Sequence, residues 1–91
     1  MSKIRLRKCH TNLYTLFGKE TVVEVLKNGY GNWGMELYRK NDKRIYKPDE
    51  SLIGKRGFPT LEAANEVACE LIDHEDELQF IRSGQRVLIN H

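Results

Sequence analysis

The chain is short of several things, and each shortage narrows what it can be. Only two of its 91 residues are proline and two are cysteine, Cys9 and Cys69, so it has no proline-rich linker and no disulfide framework. One bridge is the ceiling. No apolar run approaches the roughly 20 residues that a membrane-spanning helix requires, and the leading Met-Ser-Lys-Ile-Arg lacks the apolar core of a secretory signal. A reducing, cytoplasmic setting without membrane contact is the expectation. Missing too is any lysine or arginine between Gly57 and Ile81. What is present is 40% hydrophobic and 31% charged, the balance of a globular chain, at a length that suits one domain over residues 1–91. No internal repeat or low-complexity tract is visible.

The net charge of +2 conceals a separation: residues 1–56 carry thirteen lysines and arginines against six carboxylates, whereas residues 57–91 carry two against seven. The folded molecule is expected to be strongly dipolar, with an acidic outer face on whatever element follows Gly57.

Hydrophobic periodicity supplies the elements. Ile4 and Leu6 alternate with Lys3, Arg5 and Arg7, the period-two pattern of a strand with one buried and one cationic face over residues 3–9. Residues 13–17 predict a short second strand. In Thr21–Lys27 three valines and a threonine favour a strand over the helix that Val22, Val25 and Leu26 would also allow. Asn28-Gly-Tyr-Gly-Asn forms a loop into a further strand, on which Trp33, Met35 and Leu37 share one face and Glu36, Tyr38 and Lys40 the other. Asn41-Asp42 turns this strand into Arg44-Ile45-Tyr46. Residues 48–57 show no sustained period and predict a connecting loop. The helix signal is strongest at Thr60–Asp73, where Leu61, Ala64, Val67, Ala68, Leu71 and Ile72 recur at three and four residues and Thr60 is placed as the cap. Beyond it two readings stay open: Leu78 and Ile81 prolong the helix, or residues 78–82 and 85–90 pair as a hairpin across Ser83-Gly84.

Catalytic and metal-binding constellations are weak. Cys9, His10, Cys69 and His74 have zinc chemistry, but one pair is adjacent and the other has four residues between, unlike the knuckles of structural zinc sites. Neither cysteine has a setting that lowers its pKa, and Cys69 falls among Glu66, Glu70 and Asp73, where a thiolate is disfavoured. Glu62, Glu66 and Glu70 stack at four-residue spacing, the pattern of a solvated helix face. Gly29, Gly31 and Gly34 lack the spacing and the strand-to-helix context of a phosphate-cradling loop. The reading is therefore of a protein that is not an enzyme and uses no cofactor or metal.

The basic strands with interleaved aromatics carry more. Lys3, Arg5 and Arg7 lie on one strand and Arg39, Lys40, Lys43, Arg44 and Lys47 surround one hairpin, with Trp33, Tyr38 and Tyr46 nearby. Cations that contact phosphates release counterions, and aromatic faces stack on bases. The competing reading is that lysine and arginine on exposed strands block edge-to-edge aggregation.

From Thr21 to Asp73 the order is strand, aromatic-bearing strand, polar hairpin, then Gly57-Phe58-Pro59-Thr60-Leu61-Glu62-Ala63-Ala64 opening a helix. This order resembles the three-stranded-sheet-plus-helix DNA-binding modules found at the N-termini of phage and transposon integrases and in AP2-type domains. The resemblance implies a sheet laid into the major groove with the helix on its back, the hairpin positions being Arg39, Lys40, Lys43, Arg44 and Lys47, with Trp33 beside them.

Together these readings predict an α+β domain, an antiparallel sheet of four to six strands against one main helix at about 60–73. The expected function is a non-catalytic module that meets a nucleic acid through Arg5, Arg7, Trp33, Arg39, Lys40, Lys43, Arg44 and Lys47. The alternative is a protein-interaction or regulatory protein, self-associating through its complementary halves, with no nucleic-acid ligand.

Overall fold

The computed structural model describes residues 3–89. Five strands follow one another as an antiparallel meander: β1 (Arg7–His10), β2 (Leu13–Phe17), β3 (Thr21–Lys27), β4 (Trp33–Arg39) and β5 (Asp42–Pro48). A one-turn helix α1 (Glu50–Ile53) and the main helix α2 (Leu61–Asp73) come next. A single 3-10 turn at Glu75–Glu77 then leads into a hairpin of β6 (Leu78–Ile81) and β7 (Arg86–Ile89). The sheet order is β1-β2-β3-β4-β5-β7-β6, and every neighbour is antiparallel except β5 and β7, which run parallel.

Directly paired residues lie on the same side of a sheet, so the register assigns the faces. Leu16, Val23 and Leu37 form one row and Tyr14, Val25 and Met35 the next. These rows face α2, which crosses β2, β3 and β4 and buries Ala64, Ala68 and Leu71 against them. Val23, Val25 and Leu37 are fully buried there, and burying a valine or leucine side chain contributes roughly 1.5–3 kcal/mol. Val87 and Tyr46 extend this core, with Tyr46 meeting the edge of Phe80 at 4.9 Å between ring centroids. The opposite face of the sheet is not covered by α2.

Helix α2 begins where the sequence places it. The Thr60 hydroxyl accepts from the Ala63 N–H at 3.1 Å, satisfying one of the free amides of the first turn. The C-terminal ambiguity resolves as the hairpin, because Phe80 and Val87 pair on the core side and cover Tyr46 and Pro48.

Three expectations need correction. The sheet has seven strands rather than four to six, and it is mixed at β5–β7. The 48–57 loop contains α1, nucleated by Asp49, whose carboxylate accepts from both the amide and the hydroxyl of Ser51 at 3.2 and 2.8 Å. The first strand begins at Arg7 rather than Lys3, because the preceding backbone is bound to the helix. Asn65 of α2, buried, accepts from the amides of Arg5 and Leu6 at 2.8 and 3.2 Å and donates to the Lys3 carbonyl at 3.2 Å. One side chain thus imitates a strand partner.

A second carboxylate ties the far end. Glu75 accepts from the backbone amides of Lys19 and Glu20 at 2.9 and 2.7 Å and so fastens the β2–β3 turn to the segment after α2. Partial burial acts to raise its pKa, but these amides and Thr21 hold it below the usual 4.5.

Candidate functional site

The cations expected to share a surface are divided among several. Arg5 donates through Nη1 to both oxygens of Asp73 at 2.9 and 3.0 Å, which commits it to the end of α2. Arg39 pairs with Thr21 on the α2 side of the sheet, where its guanidinium lies 4.0 Å from the Phe80 ring centroid. Lys40 caps the neighbouring turn by donating to the Gly18 carbonyl at 2.8 Å. Lys43 leans over Tyr38 at 5.2 Å, and Arg44 stands 4.0 Å from Asp42. Arg7 is exposed on the edge strand opposite Thr15. Trp33, expected as a stacking platform, is in the core: it is 9% exposed, its ring meets Tyr14 edge-on at 5.6 Å, and the Lys27 ammonium covers it at 4.7 Å. Of the eight, Lys47 alone reaches the concave feature described next.

That feature is a groove of about 840 Å³ on the side of the sheet away from α2, with Glu50 and Ile53 of α1 in its lining. It exists because β4 and β5 part company. They pair at Leu37–Tyr46 and Arg39–Asp42, then β5 turns away to pair with β7 while the start of β4 bonds to Phe58. Leu26, Gly34 and Glu36 form the floor, and Ile45 and Lys47 one wall.

The β6–β7 turn completes that wall. Gln85 sits at φ 47°, donates its side-chain amide to the Ile45 carbonyl at 2.7 Å and accepts from the Lys47 amide at 2.9 Å. This brings Arg86 directly beside Lys47 on the groove side, with Arg86 Nη1 3.7 Å from Asp49. The carboxyl of Asp49 is held below its usual range, chiefly by the Ser51 side chain and amide and in lesser part by Arg86.

The opposite wall is a pair of loops tied together by amide side chains. Asn28 Oδ1 accepts from the amides of Tyr30 and Asn32, and its Nδ2 donates to the Arg56 carbonyl at 3.0 Å. Asn32 Nδ2 donates to the same carbonyl at 3.1 Å. Gly57, next in the chain, has φ +87°, and a Cβ there would stand 2.5 Å from the Trp33 carbonyl oxygen. Only glycine allows this approach. The outcome is that Lys55 and Arg56 are presented at the groove rim beside Tyr30, which is 74% exposed and lies 5.9 Å from the Arg56 guanidinium.

Lys27, Lys47, Lys55, Arg56 and Arg86 therefore line one concavity, against Glu36 and Glu50 as its carboxylates. Apart from Lys47, sequence reasoning did not select these residues. The signal was present in part: Lys55 and Arg56 stand in the loop before the helix, and Tyr30 in the glycine-flanked turn, but nothing local says that the two loops meet. Among the described residues there is no cluster of three or more histidine, cysteine, aspartate or glutamate side chains placed to hold a metal ion. No described helix is long and apolar enough to cross a membrane. Compared with family models, curated proteins and solved structures, the chain has no match in any of the three.

Proposed function

We propose that the protein is a non-catalytic binding module that takes a single-stranded stretch of nucleic acid in the groove between β4 and β5. The convergence of Lys47, Lys55, Arg56 and Arg86 around one open groove, with an exposed tyrosine at its rim, carries this reading. A basic channel that follows the phosphates, with an aromatic face on which a base stacks, is the usual way of holding single strands without strong sequence preference. Lys47 and Arg86 contact phosphates along one wall and Lys55 and Arg56 along the other, while Tyr30 stacks. The groove is open and rimmed by long cationic side chains, which suits an anionic polymer better than an enclosed apolar small molecule. Arg7, Lys43 and Arg44 add a diffuse positive field that raises the encounter rate. The expected role of the sheet is kept, but its contact zone moves from the β4–β5 turn to the opposite end of those strands.

The test is fluorescence anisotropy with labelled single-stranded and duplex oligonucleotides near physiological salt. Single strands are expected to bind more tightly than duplex. Lys47→Glu and Arg56→Glu each weaken binding about tenfold or more, as does Tyr30→Ala, consistent with roughly 1–3 kcal/mol per stacked base. Lys43→Glu, at the far end of the hairpin, has a small effect. A parent protein that binds neither form overturns the reading.

A further inference from the structure

The two edges of the sheet are built differently. β1 carries Arg7, Lys8 and His10, is exposed throughout, and has an irregularity in its pairing between Lys8 and His10. Basic side chains and a bulge are the devices by which natural sheets stop edges from pairing. The other edge, β6, reads Leu-Gln-Phe-Ile, with no charge, no proline and no irregularity in its pairing to β7. Its outer side meets no further strand among the described residues. Charge appears only at its two ends, and with opposite sign: Asp76 and Glu77, in the 3-10 turn, precede the strand and Arg82 follows it, all exposed.

We infer that β6 is a self-association edge, pairing antiparallel with β6 of a second copy about a two-fold axis perpendicular to the sheet. Such an axis keeps like faces together, so residues opposite one another must have the same parity. Two registers satisfy this at the strand centre. Centring on Phe80 stops Arg82 opposite Leu78 of the second copy. Centring on Gln79 sets Leu78 opposite Phe80 and carries Arg82 on to the acidic 3-10 turn of Asp76 and Glu77, twice by symmetry. Charge complementarity selects the second register. An acidic partner peptide could meet Arg82 but would face Asp76 at the other end, and a basic one the reverse. A second copy satisfies both ends. The same axis leaves both grooves on one side of a continuous sheet twice as wide, although the pairing itself does not depend on what the grooves bind.

The experiment is sedimentation velocity on the full chain without nucleic acid, over a range of concentrations, followed by charge variants. The parent is expected to reach twice 10.6 kDa as concentration rises. Asp76→Arg and Arg82→Asp are each expected to weaken association about tenfold, and the double exchange to restore it. Gln79→Lys, which sets two like charges face to face, weakens it further. Circular dichroism and thermal melting of each variant separate loss of pairing from loss of fold. A parent that stays monomeric to the order of 1 mM overturns the inference. So does a dimer indifferent to Gln79→Lys and to the charge exchange. Oligonucleotide binding is read separately, so its presence or absence decides only the groove proposal.

Discussion

Asn28 and Asn32 spend their side-chain amides on a single acceptor, the carbonyl oxygen of Arg56, at 3.0 and 3.1 Å. Two loops separated by more than twenty residues in sequence are thereby made one wall, and the cation at position 56 is held by its own backbone rather than by its charge. Asn28→Ala removes three hydrogen bonds at once. A loss of about 1–3 kcal/mol in urea denaturation is expected, with a larger proportional loss of oligonucleotide affinity than Asn41→Ala in the β4–β5 turn produces.

Glycine substitutions divide by geometry. Gly57→Ala sets a Cβ against the Trp33 carbonyl at a positive φ and is expected to cost about 2 kcal/mol or more. Gly29 has φ outside that region and nothing within 4 Å of where a Cβ would stand, so Gly29→Ala is near neutral or slightly stabilising. Thermal melts of the two variants under identical conditions make the comparison.

Asn65 and Arg5 offer a second contrast in one neighbourhood. Asn65→Ala strips the partners from the amides of Arg5 and Leu6 and from the Lys3 carbonyl in a buried setting, with an expected loss of about 2–3 kcal/mol. Arg5→Ala breaks an ion pair with Asp73 whose side chains are 44% and 52% exposed and screened by solvent, so a much smaller loss than that of Asn65→Ala is expected. Equilibrium denaturation at moderate salt distinguishes the two.

Glu75 gives a pH dependence with a defined sign. Its folded pKa is lowered, so its contribution is present above the unfolded value near 4.5 and disappears as pH falls through the folded value. The stability difference between the parent and Glu75→Gln is therefore largest at neutral pH and closes in acid. His74 acts in the opposite direction. Its pKa is raised above 6.5, chiefly through the Glu70 carbonyl and then by the surrounding carboxylates Glu70, Glu77 and Asp73, so its contribution is complete below 6.5 and lost as pH rises through the folded value. Titration of the imidazole by NMR gives the folded value directly.

Salt measures the groove cations. Removing one cation that neutralises a phosphate is expected to reduce the slope of log affinity against log salt by about 0.7 on a single strand. Lys47→Glu and Arg86→Glu are expected to do so, whereas Tyr30→Ala lowers affinity and leaves the slope unchanged.

How much of this was legible depends on whether a local pattern or a distant partner decides. Helix α2 was legible because its three-and-four spacing and Thr60 cap are complete within one segment. The fate of residues 74–83 was not, since Leu78 and Ile81 satisfy both periods, and Tyr46 and Pro48, some thirty residues earlier, tip the balance. The strand faces were legible in the alternation alone. Trp33, Met35 and Leu37 fix the core side of β4, and the same alternation carried two residues on puts Arg39 there as well, under Phe80. The groove had no local signature, because it arises where one strand changes partner.

The parallel alignment of β5 with β7 has a consequence for assembly. The meander of β1 to β5 closes through neighbouring contacts, but a parallel pair can form only after the whole crossover containing α2 has been laid down. During synthesis the half of the groove that bears Arg86 therefore arrives last. A nascent chain carries Tyr30 and Arg56 well before the wall opposite them is complete, so the groove takes its final shape only when β7 is in place.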